Sequence, residues 1–319
     1  MAIDPQPFII PLAPCALPPS PALFHDIRLT DDHKRAYATA RMLEALTAWP
    51  GPTPSWRRPV FTPTIAGRVL GQLLCEVPGV QGVDGVAREI NGCTRPDDVE
   101  TLRALADLAA YYMDCLLEPF LQDAYFVEEE GKAADGGLYT TSIVPHELGV
   151  YARQGSDRTQ LVWDILERRN ECNVGGEEQL KCSQNKIPLI YMAHKMFQKM
   201  DIWFTAVEGS PDTYTLESRI PNDLFAVMEE NPVTFRSKDP ARLPLPDPLY
   251  ISFHRAVARV LHLSGAGQYI TLQLSLRRAR ELSGITERLG TRLDHRDDLE
   301  AQAVALKLLR MLGMVAEPE

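Results

Sequence analysis

Two short segments hold most of the residues that could do chemistry. The first is the run Leu138-Tyr139-Thr140-Thr141-Ser142-Ile143-Val144, which continues into Pro145 and His146. The second begins at Asn185-Lys186-Ile187-Pro188-Leu189 and carries His194, Phe197 and, five residues further on, Trp203. Imidazoles such as His146 and His194 can act as general base, general acid or metal ligand near neutral pH. Asn185 could orient one of them by hydrogen bonding. One histidine alone is a poor site for a divalent cation, which takes several protein ligands. A plainer account is a helix whose end Asn185 caps and whose histidine packs in place.

The other candidates are weaker. His254 and His262 stand eight residues apart, two turns along one helix, and read first as packed or surface histidines. Glu128-Glu129-Glu130 reads as a solvated loop, and Arg277, Arg278, Arg280, Arg288 and Arg292 as a solvated basic face. The six cysteines, Cys15, Cys75, Cys93, Cys115, Cys172 and Cys182, form no C-x-x-C pair, so free thiols are expected. The chain has no phosphate-loop signature, no G-x-G-x-x-G after a strand, no G-x-S-x-G elbow and no H-E-x-x-H helix. Leu263-Ser264-Gly265-Ala266-Gly267 closes a helix rather than opening one, which suits a C-cap and not a phosphate cradle.

These segments need elements to position them. Thr30 before Asp31 and Asp32 marks a helix start, and Tyr37, Met42, Leu46 and Trp49 come after it at helical spacing. A helix is expected from about Ile65 to Val77, then a Gly-rich connection, PGVQGVDG. The strongest period runs over 97–121, through Val99, Leu102, Leu105, Ala109, Tyr112 and Leu116. After 128–137, a Gly-rich loop, the β-branched run at 138–144 predicts a strand. Helices are expected over 157–169 and 188–200. Strands over 202–207 and 213–216 should flank a Glu-Gly-Ser-Pro-Asp turn. A Pro-rich crossing at 231–248 leads to a helix at 249–264 with Tyr250, Phe253, Val257 and Val260 inward; helices at 272–282 and 298–312 end the chain.

The spacing N-x-I-x-L-x-x-x-x-H-x-x-F, with its strand upstream, resembles the HNH-type nuclease domain widespread in fungal proteins. Trp203-Phe204, the Asp-Thr-Tyr hairpin, Leu243-Pro-Leu-Pro-Asp-Pro and the His254…His262-Leu-Ser-Gly-Ala-Gly segment are similar to that family. So is the upstream Leu105-Ala-Asp-Leu-Ala…Pro-Phe120 stretch, and the likeness covers roughly 100–270. The resemblance implies an α+β fold: a Pro-rich tail at 1–29, a helical part at 30–122, a ββα module at 123–270, and C-terminal helices at 271–319. It also implies a histidine three residues before the strand's proline, as base for the attacking water. Here that residue is Ser142, and a serine hydroxyl is no base at neutral pH without an activator. The family's Arg-Asp-x-Tyr-Arg-Cys segment is missing as well. Asn185 and His194 are the family positions that remain, and His146 stands one residue beyond the proline.

Charge points the same way. The chain has 319 residues, with 33 Lys and Arg against 43 Asp and Glu, a net charge of −10. That disfavours nucleic acid as a whole-molecule partner, since phosphate neutralisation drives such binding. No basic leader precedes an apolar run, and no apolar stretch is long enough to span a membrane, so an intracellular protein with no membrane partner is expected. Three functions compete. One is a non-nuclease catalyst of cyclase or isomerase type, or a binder, acting on a small-molecule ligand without metal or cofactor, as in fungal specialised metabolism. His194, Asn185 and His146 would then be its catalytic groups, with Tyr139, Ser142, Phe197 and Trp203 around the ligand. The second is a metal-dependent endonuclease, with His146 as displaced base. The third is an inert interaction protein.

Overall fold

The computed structural model describes residues 14–21, 28–49, 62–126, 138–145, 148, 180–219, 232–275 and 277. Expectations for His146, Cys172, the 128–137 loop, the 157–169 helix, most of the 1–29 tail and nearly all of the 276–319 end fall outside these residues. What is described is mixed α+β, with seven α-helices and two small antiparallel sheets.

Five helices come first. α1 (Asp31–Glu44) starts where Thr30 accepts the His33 backbone N–H, and the His33 ring accepts the Thr30 N–H in return, closing a capping box. Ala36, Tyr37, Ala40 and Leu43 are its inward face; Met42 is exposed, against expectation, because it falls off that stripe. α2 (Pro63–Glu76) is capped by Thr62 and lies at the centre, with Ala66, Val69, Leu70, Leu73 and Leu74 buried. At Gly67 a Cβ would sit 2.4 Å from the Glu44 nitrogen and 2.6 Å from the Ala40 carbonyl oxygen, so the α1 and α2 backbones touch there.

α3 (Val80–Gly92) corrects the expected Gly-rich connection. Gly82 and Gly85 are weak helix formers, but they lie buried among Val83, Val86, Ala87 and Ile90, and that packing overrides propensity. α4 (Asp98–Tyr112) opens on Asp97, which accepts the Glu100 N–H at 2.9 Å. The expected continuous helix over 97–121 is interrupted. Residues Met113–Leu117 form one π-turn before α5 (Glu118–Phe126). Such a turn inserts one residue and rotates the face of α5 relative to that of α4.

β1 (Leu138–Ser142) pairs antiparallel with β2 (Lys186–Ile190) in a two-stranded sheet. α6 (Tyr191–Gln198) leaves β2 directly, so the helix expected from 188 begins three residues later; the β-branched Ile187 and Ile190 flank Pro188 in the strand. β3 (Ile202–Ala206) and β4 (Thr213–Ser218) form the expected hairpin, and the short β5 (Val233–Thr234) joins β4. Trp203, fully buried, donates its indole N–H to Glu217 at 2.7 Å, directly across the strand pair.

α7 (Pro248–Ser264) is the longest described helix and packs on both α2 and β3. Tyr250, Phe253, Val257 and Val260 are all buried, as their spacing predicts. Gly265 ends it in the left-handed region at φ 81°, and helix resumes at 266. A buried ion triad fixes α7 to α2: Glu76 accepts from Arg255 at 3.1 Å and from Arg259 at 2.8 Å. One apolar cluster runs from Leu17 through the helices and both sheets to Leu274.

Candidate functional site

Strand alternation decides which β1 residues can meet α6. Tyr139 and Thr141 lie on one face, and Leu138, Thr140 and Ser142 on the other. Thr141 is buried and Ser142 exposed, so α6 covers the Tyr139–Thr141 face. His194 projects to that face from the first turn of α6. Its Nδ1 meets the Thr141 hydroxyl. Its ring stacks on Tyr139, with centroids 5.4 Å apart and planes 23° apart. Tyr191, one helical turn before His194, packs tilted against Tyr139 with centroids 5.2 Å apart, and the Lys195 ammonium lies 5.6 Å from the Tyr191 ring centre. These residues form one aromatic edge.

Burial holds the His194 imidazole below its ordinary pKa, and the neighbouring Lys195 charge adds to the effect. The ring is therefore neutral at pH 7. With Nδ1 engaged by a hydroxyl, Nε2 is the nitrogen left to donate or accept, according to which tautomer the Thr141 contact selects.

Asn185 does a different job. It is fully buried, and its amide is used three times. Oδ1 accepts the Val144 N–H at 2.8 Å; Nδ2 donates to the Val144 and Leu180 carbonyls, both at 2.7 Å. The Asn185 carbonyl also accepts the Ile143 N–H at 2.9 Å. The side chain thus splices the end of β1 to the 3₁₀ turn before β2. It braces the unit and is out of reach of any ligand.

The structure brings together Tyr139 and His194 from the residues expected at the site. Ser142 is on the far face of β1 and does not meet His194. Phe197 and Trp203 are buried; Phe197 stacks flat against His254, with centroids 3.7 Å apart and planes 4° apart. Both belong to the core and line no surface. Thr141, Tyr191 and Lys195 complete the edge and were not singled out from the sequence. Two signals point to them: Thr141 is two residues from Tyr139 on one strand face, and Tyr191 lies three before His194 and four before Lys195.

The surroundings are apolar and open. Eight large apolar side chains are exposed among the described residues; Tyr191 and Met192 open α6 beside the site, while Leu138 and Ile190, paired across the strands, lie on the far face with Ser142. Among the described residues, no group of three or more His, Cys, Asp or Glu side chains is placed to hold a metal ion. No described helix is long and apolar enough to cross a membrane.

No family model, curated protein or solved structure matches the chain.

Proposed function

We propose that β1, β2 and α6 are an HNH-like ββα unit whose hydrolytic centre is gone, and that its aromatic edge binds a small molecule and acts on it by proton transfer, in the manner of a cyclase or isomerase. One observation carries this reading: His194 is neutral, tied through Nδ1 to Thr141, and stacked on Tyr139 beside the exposed Tyr191 and Met192. A flat, apolar-faced ligand lying along Tyr139, Tyr191 and Met192 would meet Nε2. A neutral imidazole there can give or take one proton, which isomerisation and ring closure both need. The resemblance in residue spacing supports descent from a nuclease fold. Ser142 on the wrong face, and the −10 charge, argue against nuclease chemistry.

Indole is a suitable first probe, because it offers a flat apolar face and one N–H. Titrated into the full chain, indole should shift the His194 ring resonances in NMR spectra, and Tyr139→Ala should abolish the shift. Plasmid DNA incubated with the protein in Mg²⁺ or Mn²⁺ should stay supercoiled. Metal-dependent nicking that His194→Ala removes would overturn the proposal and restore the endonuclease.

A further inference from the structure

A second site lies far from that edge in the chain, where the first turn of α1 crosses α3. A cavity of about 640 Å³ opens there, within the roughly 300–1,000 Å³ of small-molecule sites. Its walls are polar. Asp32, His33 and Arg35 come from α1, and Asp84, Arg88 and Asn91 from α3.

His33 is the fixed part. It is 1% exposed, and both ring nitrogens are used. Nδ1 accepts the Thr30 N–H at 3.3 Å, which leaves the ring proton on Nε2, and Nε2 donates to Asp84 Oδ1 at 2.7 Å. Asp84 is therefore held by one carboxylate oxygen while its side chain stays 46% exposed. Arg88 lies one turn further along α3, at the spacing where a carboxylate and a guanidinium ordinarily pair. Asp84 is turned to His33 instead, and Arg88 has no partner among the described residues. Asn91 stands three residues beyond Arg88. Its Nδ2 donates to the Asp32 carbonyl at 3.0 Å, while its Oδ1 is buried without a hydrogen-bond partner among the described residues.

A braced carboxylate with one oxygen free, and a guanidinium with no partner among the described residues, thus line one cavity. Asp32 in the same wall is already paired with Arg35. A simple anion would satisfy Arg88 but meet the free Asp84 oxygen as a like charge. A simple amine would satisfy Asp84 and leave Arg88 unused. A molecule with a cationic donor at one end and a carboxylate at the other answers both. We propose that this cavity binds a free α-amino acid, its ammonium on Asp84 and its carboxylate on Arg88. The site is independent of the aromatic edge at His194.

The test is ligand-observed NMR of the full chain against each of the standard L-amino acids, and then calorimetry on the strongest binder. That binder should lose about tenfold or more in affinity as its carboxamide, as its N-acetyl derivative, and against Arg88→Ala. Arg88 is exposed and has no partner among the described residues, so Arg88→Ala should melt at the wild-type temperature; the melting curve separates lost recognition from lost fold. The proposal fails if no amino acid binds, if carboxamide and parent bind equally, or if Arg88→Ala leaves the affinity unchanged. Acetate or methylammonium matching the parent amino acid would also overturn it, leaving a plain ion site.

Discussion

The helical layer and the β1–β2–α6 unit bury their polar groups in opposite ways. Between α2 and α7 the buried group is a carboxylate, Glu76, facing two guanidinium groups. Burial pushes the Arg255 guanidinium down to about 10, with Glu76 pulling it back up, so it stays charged at neutral pH. In the β1–β2–α6 unit the buried brace is the neutral amide of Asn185. The difference has a reason. A charge triad suits two long helices that must dock in one register, because any slip leaves a buried charge unpaired. An amide braces a small sheet without adding a field, so the nearby imidazole of His194 is set by its own burial and by Lys195.

The largest test of that contrast is Glu76→Ala. It takes the closest carboxylate from buried Arg255, leaving it Thr205 and the more distant Glu217, and should cost about 3 kcal/mol of global stability. Urea unfolding would read it as a lower midpoint with one transition. A loss of only a few tenths would mean the triad docks nothing.

Asn185→Ala comes next. It orphans the Val144 N–H and C=O and the Leu180 C=O, and should cost about 2–3 kcal/mol. The loss should be local: hydrogen exchange should speed up in β1 and β2 while α1 and α2 keep their protection. Equal acceleration in both regions would erase the comparison.

His254 sits at the joint between the two regions, stacked on Phe197 of α6 and edge-on to Phe120 of α5. Neither ring nitrogen makes a hydrogen bond of ordinary geometry among the described residues, and burial pushes its pKa down to about 3 against a weak opposing pull from the Phe197 backbone. The unfolded chain takes up this proton near pH 6.5, and the folded chain resists until about 3. Between those values the unfolded state holds the extra proton. Stability therefore falls as pH falls, by about 1.4 kcal/mol per pH unit from this residue. His254→Phe keeps the stack and should remove that part of the slope between pH 6 and 4. An unchanged slope would place the acid sensitivity elsewhere.

Much of this was legible in the sequence, and the gaps share a pattern. α1 stops at Glu44, short of the Leu46 and Trp49 in its expected period; the start of α1 and both ends of α2 and α7 were legible to within about two residues, since signals such as Thr30 and Gly265 act locally. The β3–β4 hairpin was legible for the same reason. α3 was not, because its glycines serve helix packing that no local rule can see. The π-turn at Met113–Leu117 was hidden, since its flanks keep an apolar period. At the site, the spacing located Asn185 and His194, and Tyr139 proved to be on the right face. The pairing of Thr141 with His194 depends on where α6 lies over β1, which is tertiary information. Ser142 was singled out by its place in a motif, and strand alternation takes it away from His194.

Gly67 has a consequence of another kind. Because the two backbones meet where a side chain would begin, the position accepts one amino acid only, and even a methyl group would wedge α1 from α2. Ser142, pointing into water from the opposite face of β1, can drift freely. Two positions that look alike as small residues therefore carry very different amounts of information, and a random library of this chain would show it before any activity was known.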